Sequence, residues 1–158
     1  MKKIYEHNNL NTDWYNIWEK NNYFEPNYTK SKTYCITIPP PNITGKLHLG
    51  HAFQCTLMDI LIRYYRMNQY STLWKMGTDH AGIATQILIE QKLKNRLDKN
   101  LINYSMKWKK KSIKNIGKQL RTLGCSINWK TERFTLDKQF SYAVKKAFIK
   151  LYNENFHY

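Results

Sequence analysis

Between Gly50 and Met67 the apolar residues Phe53, Leu57, Ile60, Leu61 and Tyr64 recur three and four apart, the period of a helix with one buried stripe. Before it, Tyr34-Cys35-Ile36-Thr37-Ile38 is a short apolar run closed by three prolines, and it reads as a buried strand. After it, Ser71 to Met76 reads as a second strand, ended by Gly77. Strand, helix, strand in this order predicts a parallel, right-handed βαβ unit. Outside the unit the pattern is helical. A helix starts at Asn11-Thr12-Asp13, with Trp14, Ile17 and Trp18 on one face, and stops before Pro26. Asn27 to Thr33 is a polar connection. Another helix runs from about Ala84 to Leu93. A basic helix follows, with Trp108, Ile113, Ile116, Leu120 and Leu123 inward and Gly124 as its stop. The last helix begins at Thr135, a suitable N-cap, and carries Phe140, Val144, Ala147, Phe148 and Leu151 on its apolar stripe. Two strands are fewer than a doubly wound sheet carries, so the pattern predicts α/β architecture with only half of such a sheet.

Composition narrows this picture in three ways. First, 158 residues suit one cored domain, or half of a larger one. Second, 26 Lys and Arg against 11 Asp and Glu give a net charge of +15. That balance suits an anionic partner, nucleic acid foremost. It equally suits a lysine-rich compositional bias filling solvated positions, because lysine, asparagine, isoleucine and tyrosine are spread along the whole chain. Third, Cys35, Cys55 and Cys125 form no C-x-x-C pair, which argues against zinc knuckles and redox motifs and for reduced thiols in the cytoplasm. The lysines at the N-terminus precede no apolar run, and no stretch is long and apolar enough to span a bilayer, so no membrane partner is expected.

The chemistry concentrates in two segments. Pro39-Pro40-Pro41-Asn42-Ile43-Thr44-Gly45-Lys46-Leu47-His48-Leu49-Gly50-His51 leaves the first strand and enters the long helix. Glycine there lets the backbone approach a ligand, and a helix N-terminus favours an anion. His48 and His51 stand one turn apart and would face the same phosphate. An H-x-x-H pair could instead serve a metal, but a third ligand at suitable spacing is absent, so no protein-bound metal is expected. The second segment, Gly77-Thr78-Asp79-His80-Ala81-Gly82-Ile83-Ala84-Thr85-Gln86, leaves the second strand. Asp79 could pair with a ligand ammonium or cap the following helix. Both segments start at the carboxyl ends of adjacent parallel strands, where such sheets bind ligands, so they are expected to share one crevice.

These two segments at this distance resemble the amino-terminal part of the valyl-tRNA synthetases, class I enzymes. Met58-Asp59 to Arg63-Tyr64, Arg66-Met67, Leu73-Trp74, and Asn128-Trp129 to Glu132-Arg133-Phe134-Thr135 agree as well. The isoleucine and leucine enzymes carry G-W-D where this chain has Gly77-Thr78-Asp79, and they lack the Pro-Pro-Pro-Asn lead-in.

The resemblance implies a Rossmann-type (HUP-like) parallel sheet, first half only. Residues 1–33 would be an N-terminal helical extension and linker, and residues 34–158 the first half of the catalytic domain. It implies ATP-dependent activation of valine to valyl-adenylate, with Mg²⁺ accompanying ATP, and transfer to tRNA(Val). His48 and His51 would be the catalytic phosphate contacts. His48, Gly50 and His51 would bind ATP; Pro39, Pro40, Asn42 and Asp79 would bind the amino acid. The family's K-M-S-K-S loop, editing domain and anticodon-binding helices have no counterpart here. Lys30-Ser31-Lys32-Thr33 is only a superficial echo, since it precedes the histidine motif. The chain is therefore expected to be an amino-terminal fragment or shortened product, weak or inactive alone, with a separate chain as one source of the missing half. Two other readings remain open at this point. A free-standing nucleotidyltransferase explains the histidine motif and the βαβ unit, but not Gly77 to Gln86. An RNA-binding remnant would use the basic helix from Met106 to Leu123.

Overall fold

A computed structural model describes residues 7–93 and 101–156. Helix α1 (His7–Lys20) is followed by β1 (Thr33–Thr37), α2 (Leu49–Met67) and β2 (Ser71–Thr78). Then come α3 (Gly82–Leu93), α4 (Leu101–Thr122), β3 (Asn128–Phe134) and α5 (Lys138–Asn153). The strands form one parallel sheet in the order β1-β2-β3. The βαβ unit of β1, α2 and β2 is present. The third strand is an addition to the two that the pattern predicts, and β2 continues through Gly77 to Thr78 rather than ending at Gly77.

The core lies between one face of the sheet and helices α2 and α4. Ile38, Trp74, Met76 and Ile127 from the sheet layer meet Cys55 and Ile62 of α2 and Ile116 and Leu120 of α4. Of β1, only Tyr34 and Ile36 turn towards this core, while Thr33, Cys35 and Thr37 are exposed. The strand read as buried is therefore buried on one face. Cys55 and Cys125 touch within the core, and Cys125 has its thiol pushed up by the hydrogen bond with Cys55 and by burial.

Helix α2 inverts the expected face. Phe53, Leu57, Ile60, Leu61 and Tyr64 are exposed, whereas Cys55 and Ile62 are buried and Met58 packs beside them. The helix is apolar on two opposed sides, and periodicity cannot say which one meets the sheet. A similar correction applies to α5, whose Phe140, Val144, Phe148 and Leu151 are exposed. In α4, Ile116 and Leu120 are buried as predicted, but Leu123 lies past the helix and is 44% exposed. Gly124 ends α4 as expected. Its φ of 81° lets the Gly124 N–H reach Arg121 O at 2.9 Å and the Cys125 N–H reach Leu120 O at 3.1 Å.

Helix α1 begins ahead of the predicted Asn11-Thr12-Asp13 start, and among its described side chains Tyr15 is buried, with Trp14 and Ile17 exposed. The Tyr15 hydroxyl donates to Cys125 O at 2.5 Å and accepts from Trp129 Nε1 at 2.8 Å. Arg121 adds a two-pronged contact to Glu19, at 3.1 and 2.9 Å. These bonds fasten α1 to α4 and β3.

Candidate active site

The two motifs meet through their backbones. Beyond β1 the chain continues alongside the end of β2: the Asp79 N–H donates to Pro41 O at 2.9 Å, and the Ile43 N–H donates to Asp79 O at 2.9 Å. Asn42 and Asp79 thus pair as a parallel bridge. The three prolines have no N–H to contribute, so they can pair only through a carbonyl, which Pro41 supplies, and the first N–H to pair after them is that of Ile43. Helix α4 secures the rest of the loop. Trp108 Nε1 donates to Ile43 O at 2.9 Å, and the Gln119 amide both accepts from Leu47 N (3.0 Å) and donates to Leu47 O (3.2 Å). With both ends held, the loop delivers His48 to the start of α2.

His48 is the N-cap of α2. Its Nδ1 accepts from Gly50 N at 3.1 Å, while His51 Nδ1 accepts from His48 N at 3.3 Å. This is a reciprocal cap written with two histidines, in place of the usual Ser or Thr and Glu. Each Nδ1 must be unprotonated to accept, so a neutral ring carries its proton on Nε2, leaving an N–H donor for a ligand. The ring centroids are 4.0 Å apart. Partial burial and the neighbouring His48 hold the His51 imidazole below its ordinary pKa. A Cβ on Gly50 would sit 2.9 Å from His48 Cε1, so only glycine leaves room for the capping ring. The helix start therefore combines backbone polarity with two imidazoles.

Asp79 is held from a different side. Its Oδ1 accepts from Ala81 N at 3.0 Å and from the Thr135 hydroxyl at 3.1 Å. Thr135 Oγ1 also accepts from His80 N at 3.0 Å and lies 2.5 Å from His80 Nδ1. The hydroxyl has one proton, given to Asp79, so His80 must donate from Nδ1. Among the described residues none donates to Asp79 Oδ2. Asp79 and His80 are each 35% exposed in their side chains. The Ala81 φ of 53° makes the sharp turn that aims its N–H back at Asp79.

Thr135 was expected to cap the last helix. The N-cap is instead Asp137, and Thr135 is engaged with Asp79 and His80. Its backbone N–H donates to Thr78 O at 3.1 Å, continuing the β2–β3 pairing one residue beyond the end of β3. Gly77 permits that pairing, since a Cβ there would lie 3.3 Å from Arg133 O.

Two cavities flank these groups. Pro40, Ile38, Met76, Thr78 and Phe140 line a small pocket of about 160 Å³. The Thr78 hydroxyl, buried to 1%, finds no partner among the described residues. A larger cleft of about 510 Å³ is bordered by Ile43, His80, Thr85, Lys109 and Phe134. Pro39 and Asn42 are exposed beside Pro41. Thr135, Gln119 and Trp108, which organise the site, could not be singled out by a motif. A hint lay in the run Asn128 to Thr135, which follows a glycine helix stop.

The sequence pattern of the tRNA synthetases class I (I, L, M and V) matches residues 13–158. Named relatives agree with it. The valine–tRNA ligases of Buchnera aphidicola from Acyrthosiphon pisum and of Blochmanniella floridana are 50% and 52% identical over 100% of this chain. The chain spans 17% of the length of either relative. Among solved structures, a LeuRS of Agrobacterium radiobacter in a ternary complex with tRNA and LeuAMS superposes with a TM-score of 0.78 at 23% identity, over 96% of this chain and 19% of that one. That likeness establishes the fold: a class I catalytic domain shares this three-stranded sheet and its helices. With the family pattern matched from residue 13 to residue 158, this chain belongs to the class I tRNA synthetases of the isoleucine, leucine, methionine and valine group.

Proposed function

We propose that this chain carries the ATP- and valine-binding motifs of a valine–tRNA ligase, with residues 34–158 as the first half of its catalytic fold. The observation that supports this most is the bridge between Asn42 and Asp79, which draws both family motifs to the carboxyl ends of adjacent parallel strands. In the reaction, the valine carboxylate attacks the α-phosphorus of ATP, forming valyl-adenylate and releasing pyrophosphate. The valyl group then passes to the terminal ribose of tRNA(Val).

His48 and His51 would donate from Nε2 to phosphate oxygens as charge grows in the transition state, aided by the α2 N-terminus. Gly50 would keep the backbone accessible between them. Asp79 would hold the valine ammonium with its remaining carboxylate oxygen. Pro39, Pro40 and Asn42 would border the amino acid, and the small pocket beside Pro40 has the apolar lining that a branched aliphatic side chain needs. Mg²⁺ prefers oxygen ligands, while the phosphate end of this site offers imidazoles. The ion would thus be carried by the ATP phosphates and would neutralise their charge. Such chemistry belongs in the cytoplasm, and no described helix is long and apolar enough to cross a membrane.

Valine-dependent ATP–pyrophosphate exchange tests the reading, with isoleucine and threonine as competitors. Any exchange should fall at least about tenfold in His48→Ala and Asp79→Ala, since each removes a charge-assisted contact worth about 1.5–3 kcal/mol. Valine-independent adenylyl transfer to a small phosphorylated acceptor would replace this reading with that of a free-standing nucleotidyltransferase.

A further inference from the structure

Helix α4 has two faces of opposite character. Ser112, Ile116 and Leu120 are buried, and Trp108 and Gln119 reach the site loop. Lys107, Lys110, Lys111, Lys114 and Lys118 are all exposed. At about 100° per residue these five fall within an arc of about 100°, opposite the buried side. With a rise of about 1.5 Å per residue, the line they form is about 16 Å long.

The line is electrostatically costly. Lys107 and Lys111, Lys110 and Lys114, and Lys114 and Lys118 are like charges four residues apart, a spacing that destabilises a helix. No Asp or Glu occurs in α4 to offset them. Several described acids are engaged elsewhere: Glu19 with Arg121, Glu25 with Lys130, Asp59 with Arg63, and Asp137 with Lys109 and Arg133. Among the described residues, none of the ion pairs involves the five lysines. Lys109 differs from them. Its ammonium lies 3.8 Å from the Phe134 ring centroid and 4.0 Å from Asp137, so it belongs to the packing.

We propose that this lysine line binds the phosphate backbone of an RNA strand. The proposal rests on the synthetase reading only for which RNA is meant, namely tRNA. Two features favour RNA over a lysine bias without function. A bias would place lysines on all solvated faces and leave acids among them, whereas these five are collinear and unrelieved. Lys118 also connects the line to the candidate site, because it borders the same open groove of about 510 Å³ as His48 and Leu49. A strand following the line is thereby led to the histidine motif.

Fluorescence anisotropy of the full chain with a labelled tRNA transcript, across a KCl series, tests this. For the triple variant K107Q/K110Q/K114Q, the log–log salt slope should shrink by about 2 to 3, at about 0.7–0.9 per lost phosphate contact. Affinity at low salt should fall at least about tenfold. Glutamine preserves helix propensity, and thermal melting confirms that the variant is folded. The matched triple K138Q/K145Q/K146Q on α5 removes the same charge and should leave the slope unchanged. Equal losses in both triples, or none in the α4 triple, would overturn the proposal. So would a loss seen only on phosphatidylserine-containing vesicles, which would assign the line to a membrane. The assay needs neither ATP nor valine, so its outcome is separable from that of valine activation.

Discussion

At the scale of single residues, the site is built from side chains that do two jobs. His48 and His51 cap α2 and also offer Nε2 donors. The capping role gives a pH signature. The unfolded His51 takes up a proton near its ordinary 6.5, and the folded one only at lower pH. Above that range both states are neutral and the group contributes nothing. As the pH drops below 6.5 the unfolded chain gains the proton first, so stability falls. Melting temperatures measured from about pH 7.5 down to about pH 5.5 should therefore decline less in His51→Gln than in the parent. His48, Gly50, His51 and Asp79 were legible because motif residues carry their chemistry in local order. Thr135 was not. A threonine before a helix looks like a cap, and only the arrival of β3 beside β2 shows that its hydroxyl serves Asp79 and His80.

At the scale of elements, position and length were legible and orientation was not. The period of α2 locates the helix, but its stripes through Leu57 and through Ile62 compete on equal terms. The sheet selects Ile62, which is 0% exposed, and leaves Leu57 49% exposed. Ile62→Ala should therefore cost about 2–5 kcal/mol in denaturant unfolding, and Leu57→Ser should stay within about 0.5 kcal/mol. The reverse order would mean that α2 is packed the other way round. Strand β3 escaped notice for a related reason. Asn128-Trp129-Lys130-Thr131-Glu132-Arg133-Phe134 is mostly polar, and at the sheet edge it buries only its ends, Asn128 and Phe134. Its pairing with β2 also shifts register between Lys75 and Gly77. That irregularity moves Thr135 level with the end of β2.

At the scale of the whole molecule, long-range hydrogen bonds lock the helical layer to the sheet. Tyr15 joins α1 to residues more than a hundred positions away, Cys125 and Trp129. Tyr15→Phe would leave the buried Cys125 carbonyl and the Trp129 N–H without their partner, and should cost about 1–3 kcal/mol in thermal or denaturant unfolding. An unchanged midpoint would show α1 to be only loosely attached. By itself the sequence determined the βαβ unit, the two motifs, the glycine stop of α4 and the family. Each of these is written in neighbouring residues, whose spacing follows from the helix and strand periods. Tertiary structure alone decided which face of α2 is buried, the existence of the third strand, the transfer of Thr135 to the site, and the division of the α4 lysines into Lys109 and an exposed line. Those outcomes depend on which distant segments come together, and a local pattern compatible with several partners does not choose among them.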